Sequence, residues 1–235
     1  MQRNKVGIIG GLGYISTTEY YRKIIEKSMD YTKSNDYPEL LITSLNMKDI
    51  LDFIEREAYE QLTWYLYRCV QNLKKAGADF AVIASNTPHI VFNQLSEISP
   101  LPLISIMDVT SQAISRCGYS NVLLTGTAFT MKNRFYKDNL ESHGIKCTVP
   151  NAEDIETIHN IIFPDLENGI VKPEKKREFI TLCEKYVPKG IQAIILGCTE
   201  LPLLINDGDM QVPIIDTMKL HISAIVDEIY GIGGK

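Results

Sequence analysis

The chain has 235 residues, 45% of them hydrophobic and 23% charged, with a formal net charge of −5. That is the balance of an ordinary globular protein, long enough for one large domain or two lobes of about 110 residues each. The acidic sign, with "EKKRE" (174–178) as the longest basic run, argues against a nucleic-acid partner, and no stretch of 18 apolar residues is present to span a membrane. The five cysteines, at 69, 117, 147, 183 and 198, form no CxxC pair. Free thiols in a reducing, cytoplasmic compartment are expected, with neither a disulfide framework nor a metal site.

The first element, "KVGIIGG" (5–11), passes straight into the amphipathic "STTEYYRK", so the start reads as a strand and a helix rather than a signal peptide. "GGLG" (10–13) is not a dinucleotide fingerprint, because Ser16 stands where the third glycine belongs, and no GK[ST] follows. It reads as a tight strand-to-helix turn whose amides could hold an anion. Further apolar runs follow: "ELLITSL" (39–45), "FAVIAS" (80–85), "LPLISI" (101–106), "NVLLTGT" (121–127), "KCTVP" (146–150), "QAIILGC" (192–198) and "VPIID" (212–216). Helix-length segments separate them, such as "YEQLTWYLYRCVQNLKKAG" with apolar residues three to four apart and a closing glycine. Alternation of this kind predicts an α/β protein with mostly parallel sheets flanked by helices.

The runs also repeat. "VGIIGG" (6–11) matches "VLLTGT" (122–127), and aligning Gly77 with Gly190 puts Ser85 opposite Cys198, all at offsets of 113 to 116 residues. Two pseudo-symmetric lobes are expected. The first takes residues 1–102 plus a returning tail, 212–235, because "VPIID" is left without a partner in the second; the second takes 103–211. Ligands of open parallel sheets bind beyond the carboxyl ends of the strands. Gly10-Gly11, Ser85-Asn86-Thr87, Gly126-Thr127 and Cys198-Thr199-Glu200 all stand at such ends, and are expected to converge on a cleft between the lobes.

Cys198, at a strand end and before the next helix, is expected to have a lowered pKa and to react as thiolate. The other four cysteines read as structural. His89 reads as a structural histidine capping the segment after "SNTP", with support behind Ser85 as the alternative. His221, on the terminal helix, is expected near a lobe interface. Neither histidine forms a triad pattern, which disfavours a hydrolase.

Taken together, "GIIGGLGYISTTEYYRKI", "KKAGADFAVIASNTPH", "LLTGTAFTMKNRFYKDNL" and "GIQAIILGCTELPLL" resemble the aspartate/glutamate racemase family of cofactor-independent amino-acid racemases. The resemblance covers nearly the whole chain. It implies a small acidic amino acid as substrate, no cofactor, no metal and a homodimer. In the family two thiols face each other across the α-carbon, one removing a proton as thiolate and the other returning one. Racemisation needs that base and acid on opposite faces.

Here Ser85 replaces one thiol, and three explanations stand: an engineered Cys-to-Ser form, a natural hydroxyl as in L-aspartate/glutamate-specific racemases, or a one-thiol relative such as arylmalonate decarboxylase. "STTEYY", "SLNMKDI" and "NIIFPDL" resemble the L-specific branch, which favours the second. The resemblance then implies Cys198 as base and Ser85 as proton donor, with substrate contacts from Leu12, Ser16, Asn86, Thr87, Thr127, Thr130, Thr199 and Glu200. Lys172 and Arg56 are candidate cations for the distal carboxylate. The chain departs from the family at Tyr14-Ile15, where a carboxylate usually stands. The rival class is a non-catalytic binder of amino acids or dicarboxylates.

Overall fold

Each of the eight apolar runs forms a strand in the structure, a computed structural model that describes residues 3–232. In the first sheet β1 (Val6–Gly10), β2 (Leu40–Ser44), β3 (Phe80–Ile83) and β4 (Leu103–Ile104) lie parallel in the order β2-β1-β3-β4. The second sheet has β5 (Asn121–Thr125), β6 (Lys146–Thr148), β7 (Ala193–Leu196) and β8 (Ile214–Asp216), parallel in the order β6-β5-β7-β8. The two orders are the same, so the sequence repeat is a repeat of topology. Strands β1, β3 and β7 are buried along their whole length, which is why they read as unbroken apolar runs.

The first sheet is flanked by α1 (Tyr14–Thr32), α2 (Met47–Glu55), α3 (Tyr59–Lys75) and α4 (Phe92–Ile98). Then follow α5 (Ile106–Arg116), α6 (Ala128–Lys132), α7 (Arg134–Ser142), α8 (Ala152–Ile162), α9 (Pro173–Glu184), α10 (Leu201–Leu204) and α11 (Thr217–Tyr230). Helix α3 shows why such segments fold: Leu62, Leu66, Val70 and Leu73 make one buried stripe, and Lys74 and Lys75 complement the dipole in its last turn.

The chain divides into two compact units, one running from Met107 to Thr217 and the other made of the residues on either side. In the first-sheet unit, Met218, Ile222 and Ile225 of α11 pack with Val6, Ile8, Ile24, Phe80 and Val82. Truncating a fully buried isoleucine such as Ile225 to alanine costs about 2–5 kcal/mol.

Two expected boundaries are corrected. Strand β8 pairs with β7 through Ile194↔Ile214 and Leu196↔Asp216, so 212–216 belongs to the second sheet and only α11 joins the first core. Residues 103–104, assigned by sequence to the second lobe, are β4 of the first sheet. "LPLIS" and "VPIID" are the fourth strands of the two halves, and each is too short and too Pro-led to announce its partner.

Candidate functional site

The sheet orders place equivalent turns at equivalent strand ends. After β1, Leu45 N–H donates to Gly10 O (2.9 Å) and Gly11 N–H donates to Thr17 Oγ1 (2.8 Å). Gly11 has φ +80°, and a Cβ there would lie 2.3 Å from the carbonyl oxygen of Leu45, so only glycine fits. Gly13, which has no side chain, caps α1. Leu12 and Ser16 are buried. Of the anion-binding amides expected in "GGLG", that of Gly11 is already satisfied by Thr17.

After β5, Gly197 N–H donates to Thr125 O at 2.8 Å. A Cβ on Gly197 would lie 2.5 Å from that same oxygen, so a side chain would push β7 away from β5 just before Cys198. Thr127 caps α6 by accepting the N–H of Thr130 at 3.3 Å. Thr130 is fully buried, its hydroxyl 3.2 Å from that of Thr127, and it completes the cap.

Ser85 stands two residues beyond β3. The last ladder bond is Ala84 N–H to Ile9 O, 2.9 Å, after which Ser85, Asn86 and Thr87 turn into a short 3₁₀ segment, Thr87–Val91. Ser85 and Thr87 are half-buried and Asn86 is buried. His89, buried, lies under this turn with Nδ1 2.8 Å from Ser85 O and stacks on Phe92. Burial and the neighbouring His221 lower its pKa to about 3, so it is neutral. His221 is also buried and neutral, lowered to about 4 by burial; Tyr20 Oη lies 2.9 Å from its Nδ1, and its Nε2 donates to Ile104 O at 3.1 Å.

Cys198 stands two residues beyond β7, the counterpart of Ser85 in the other sheet. Its surroundings overturn the expected low pKa. The helix after it, α10, is a single four-residue turn, and Cys198 sits inside the core of its unit with Leu201 and Leu204. Its thiol donates to Glu200 Oε2 at 2.8 Å, and Thr199 Oγ1 donates to the same oxygen at 3.1 Å. Burial first, then the negative charge of Glu200, pushes the thiol well above its ordinary pKa; the main-chain N–H of Glu200 pulls the other way but is outweighed. The resting group is a thiol held against a carboxylate.

Glu167, in the 3₁₀ turn Leu166–Asn168, was not singled out by sequence. Its carboxyl is raised to about 7, first by burial and then by the charge of Glu200. No local pattern marks it, because it lies 31 residues before Cys198. Cys69, Cys147 and Cys183 are buried with raised pKa values, Cys147 to about 12, as structural thiols should be. Cys117 is exposed.

The candidate cations are engaged elsewhere. Lys172 Nζ lies 2.6 Å from Asp165 Oδ2, closing the loop that carries Glu167, and Arg56 lies over the ring of Phe53. Tyr14 is 61% exposed at the start of α1. Among the described residues no His/Cys/Asp/Glu group could hold a metal ion, and no helix is long and apolar enough to cross a membrane.

The fold is a doubled parallel α/β architecture, with a buried thiol and carboxyl at one strand end and a hydroxyl at the equivalent end of its twin. Residues 9–225 match the Asp/Glu/Hydantoin racemase family, and the chain belongs to that family; it is an amino-acid racemase by class. A crystal structure from Yersinia pestis, described as a candidate Asp/Glu racemase, superposes with a TM-score of 0.89 at 32% identity, covering 97% of this chain and 99% of that one. An aspartate racemase homologue from Pyrococcus horikoshii OT3 gives 0.86 at 38% identity, over 98% and 100%. In sequence, the broad specificity amino-acid racemase RacX of Bacillus subtilis (strain 168) is 24% identical over 223 residues, 90% of this chain and 92% of its own.

Proposed function

We propose that the protein racemises acidic amino acids without a cofactor, with Cys198 removing the α-proton on one face and Ser85 returning one on the other. The observation that carries this reading is the Cys198 thiol donating to Glu200 at 2.8 Å. A buried thiol with a raised pKa is a poor base alone, so the proton has to leave as the substrate arrives. The α-ammonium of an amino acid supplies positive charge beside Glu200 and Glu167 and offsets the repulsion that holds the thiol protonated. Cys198 then passes its proton to Glu200 as its sulfur takes the one on Cα; the negative charge moves from Glu200 to the α-carbon, Ser85 protonates the other face and regains a proton from solvent, and Glu200 releases its own. This gives Glu200 a role beyond substrate positioning.

The first turn of α1, capped only by Gly13, is an anion site for a substrate carboxylate. The hydroxyls of Thr87, Thr127 and Thr199 and the amide of Asn86 are further contacts. Because a serine hydroxyl ionises far less readily than a thiol, abstraction by Cys198 is favoured, and the enantiomer it serves is the L form. The reading includes a cytoplasmic homodimer, which sedimentation tests for its stoichiometry. Activity that survives EDTA and hydroxylamine bears out the cofactor independence; activity restored only by a metal or pyridoxal phosphate rejects it.

The deciding experiment is incubation with L- and D-aspartate and glutamate in D₂O, following α-deuteration by NMR and chirality by chiral chromatography. Deuteration and inversion of either amino acid support the reading. Binding without exchange would favour a dicarboxylate binder.

A further inference from the structure

His89 offers an interaction that the proton chemistry above does not use. A carbonyl oxygen only accepts, so the 2.8 Å contact between His89 Nδ1 and Ser85 O places the hydrogen on Nδ1. Nε2 is then bare, and it accepts the N–H of Ile106 at 3.2 Å. One neutral tautomer therefore satisfies both ring nitrogens, and the ring has no room to choose another. The ring plane is fixed as well, stacked on Phe92 with centroids 5.1 Å apart and planes 6° from parallel. The ladder bonds of β3 stop at Ala84, so the peptide plane after Ser85 is not held by the sheet. The His89 ring holds it at Ser85 O, and His89 N–H, donating to Asn86 O at 3.0 Å, holds the peptide that follows.

We infer that His89 is a positioning residue for Ser85: its Nδ1–H fixes the Ser85 carbonyl and, through the backbone at that residue, the direction of the Ser85 hydroxyl. Ile106 N–H selects the tautomer that makes this possible. The inference rests on the reading of Ser85 as the group that protonates the second face. It goes beyond that reading by naming what aims the hydroxyl.

The two halves of the reaction separate the inference from a merely structural role. In D₂O an L substrate deprotonated by Cys198 either regains deuterium from the same side, giving deuterated L product, or is protonated by Ser85, giving D product. His89→Leu removes both ring contacts and is expected to lower the ratio of inversion to retained exchange about tenfold or more. His89→Asn keeps a donor where Nδ1 stands and should restore that ratio to within a few-fold. His89→Gln keeps an acceptor for Ile106 N–H but no donor for Ser85 O, and should not restore it. A parallel fall in both outcomes, or rescue by glutamine rather than asparagine, overturns the inference. Long-range ¹H–¹⁵N NMR of the wild-type chain gives a readout independent of turnover: His89 should be the Nδ1–H form from pH 7 to pH 5. An Nε2–H or charged ring overturns the inference whether or not the chain racemises anything, whereas absent exchange with an Nδ1–H ring would count against the racemase reading alone.

Discussion

The turn carrying Ser85 and the turn carrying Cys198 have the same place in sheets of the same strand order, yet opposite electrostatic settings. Ser85 rests on a buried, neutral histidine whose pKa is lowered to about 3, so nothing charged lies directly beneath it. Cys198 rests against Glu200, with Glu167 adding to the negative field. The backbone is duplicated and the chemistry is not. The difference between the two turns is written in the side chains one to four residues away and in a distant carboxyl. Removing each in turn tests which of the two turns drives proton exchange.

The largest expected effect is at Cys198. Cys198→Ala should lower α-deuteration of both enantiomers by roughly 10³-fold or more, since a positioned base contributes about 10²–10⁴-fold. Its thermal midpoint should fall only slightly, because one small side chain is lost. Exchange at the wild-type rate would remove Cys198 from the mechanism.

Next comes Glu200→Gln. If Glu200 receives the thiol proton, exchange should fall about 10²-fold. The same change takes away a negative neighbour, so the thiolate absorbance of Cys198 should appear at lower pH than in the wild type. The two readouts are expected to move in opposite senses. Faster exchange in the glutamine variant would mean that Glu200 only suppresses the thiolate.

Ser85→Cys makes the two turns alike. Turnover of the D enantiomer should rise roughly tenfold while that of the L enantiomer changes little, since the new thiol ionises far more readily than a hydroxyl. An engineered Cys-to-Ser chain would instead be nearly inactive on both forms until the cysteine is restored. Equal rates on both enantiomers by the serine form contradict the asymmetry itself.

A smaller difference is expected in labelling. Cys117 is the exposed thiol, and Cys198 is buried with a raised pKa, so iodoacetamide should modify Cys117 first at neutral pH. Peptide mapping that finds Cys198 modified first would show a thiolate at rest and return the argument to the helix N-terminus.

How far these turns could be read from sequence follows the range of the interactions. The strands were legible because buried parallel strands such as Phe80–Ile83 are continuous apolar runs. The correspondence of Ser85 and Cys198 was legible because both follow such a run at the same spacing. The placement of 212–216 was not, since β8 is specified by pairing with β7 rather than by its own three residues. The pKa of Cys198 was misjudged for a similar reason: "GCTE" shows a carboxylate two residues on, but not that it turns back to 2.8 Å from the sulfur. Lys172, which looked available for a substrate, pairs with Asp165 seven residues earlier. Glu167 comes near this network only through folding.

Glu167 supplies the last and smallest test, one of stability rather than rate. Its carboxyl is raised to about 7 by burial and by Glu200, against an ordinary value of about 4.3 in the unfolded chain. Between those values the folded protein holds the proton more tightly than the unfolded one, so this group's stabilising effect is complete below about 4.3 and fades as pH rises through 7. His89 and His221, lowered to about 3 and about 4, act in the reverse sense: their contribution is present above about 6.5 and is lost as pH falls through their folded values. The two trends overlap between about pH 4.3 and 6.5 and partly mask each other in the wild type. Glu167→Gln removes one and leaves the other. Urea unfolding from pH 4.5 to 8 should therefore show the variant gaining stability relative to the wild type as pH rises, levelling off above 7. Parallel curves would mean that neither burial nor Glu200 raises the Glu167 carboxyl in the folded protein.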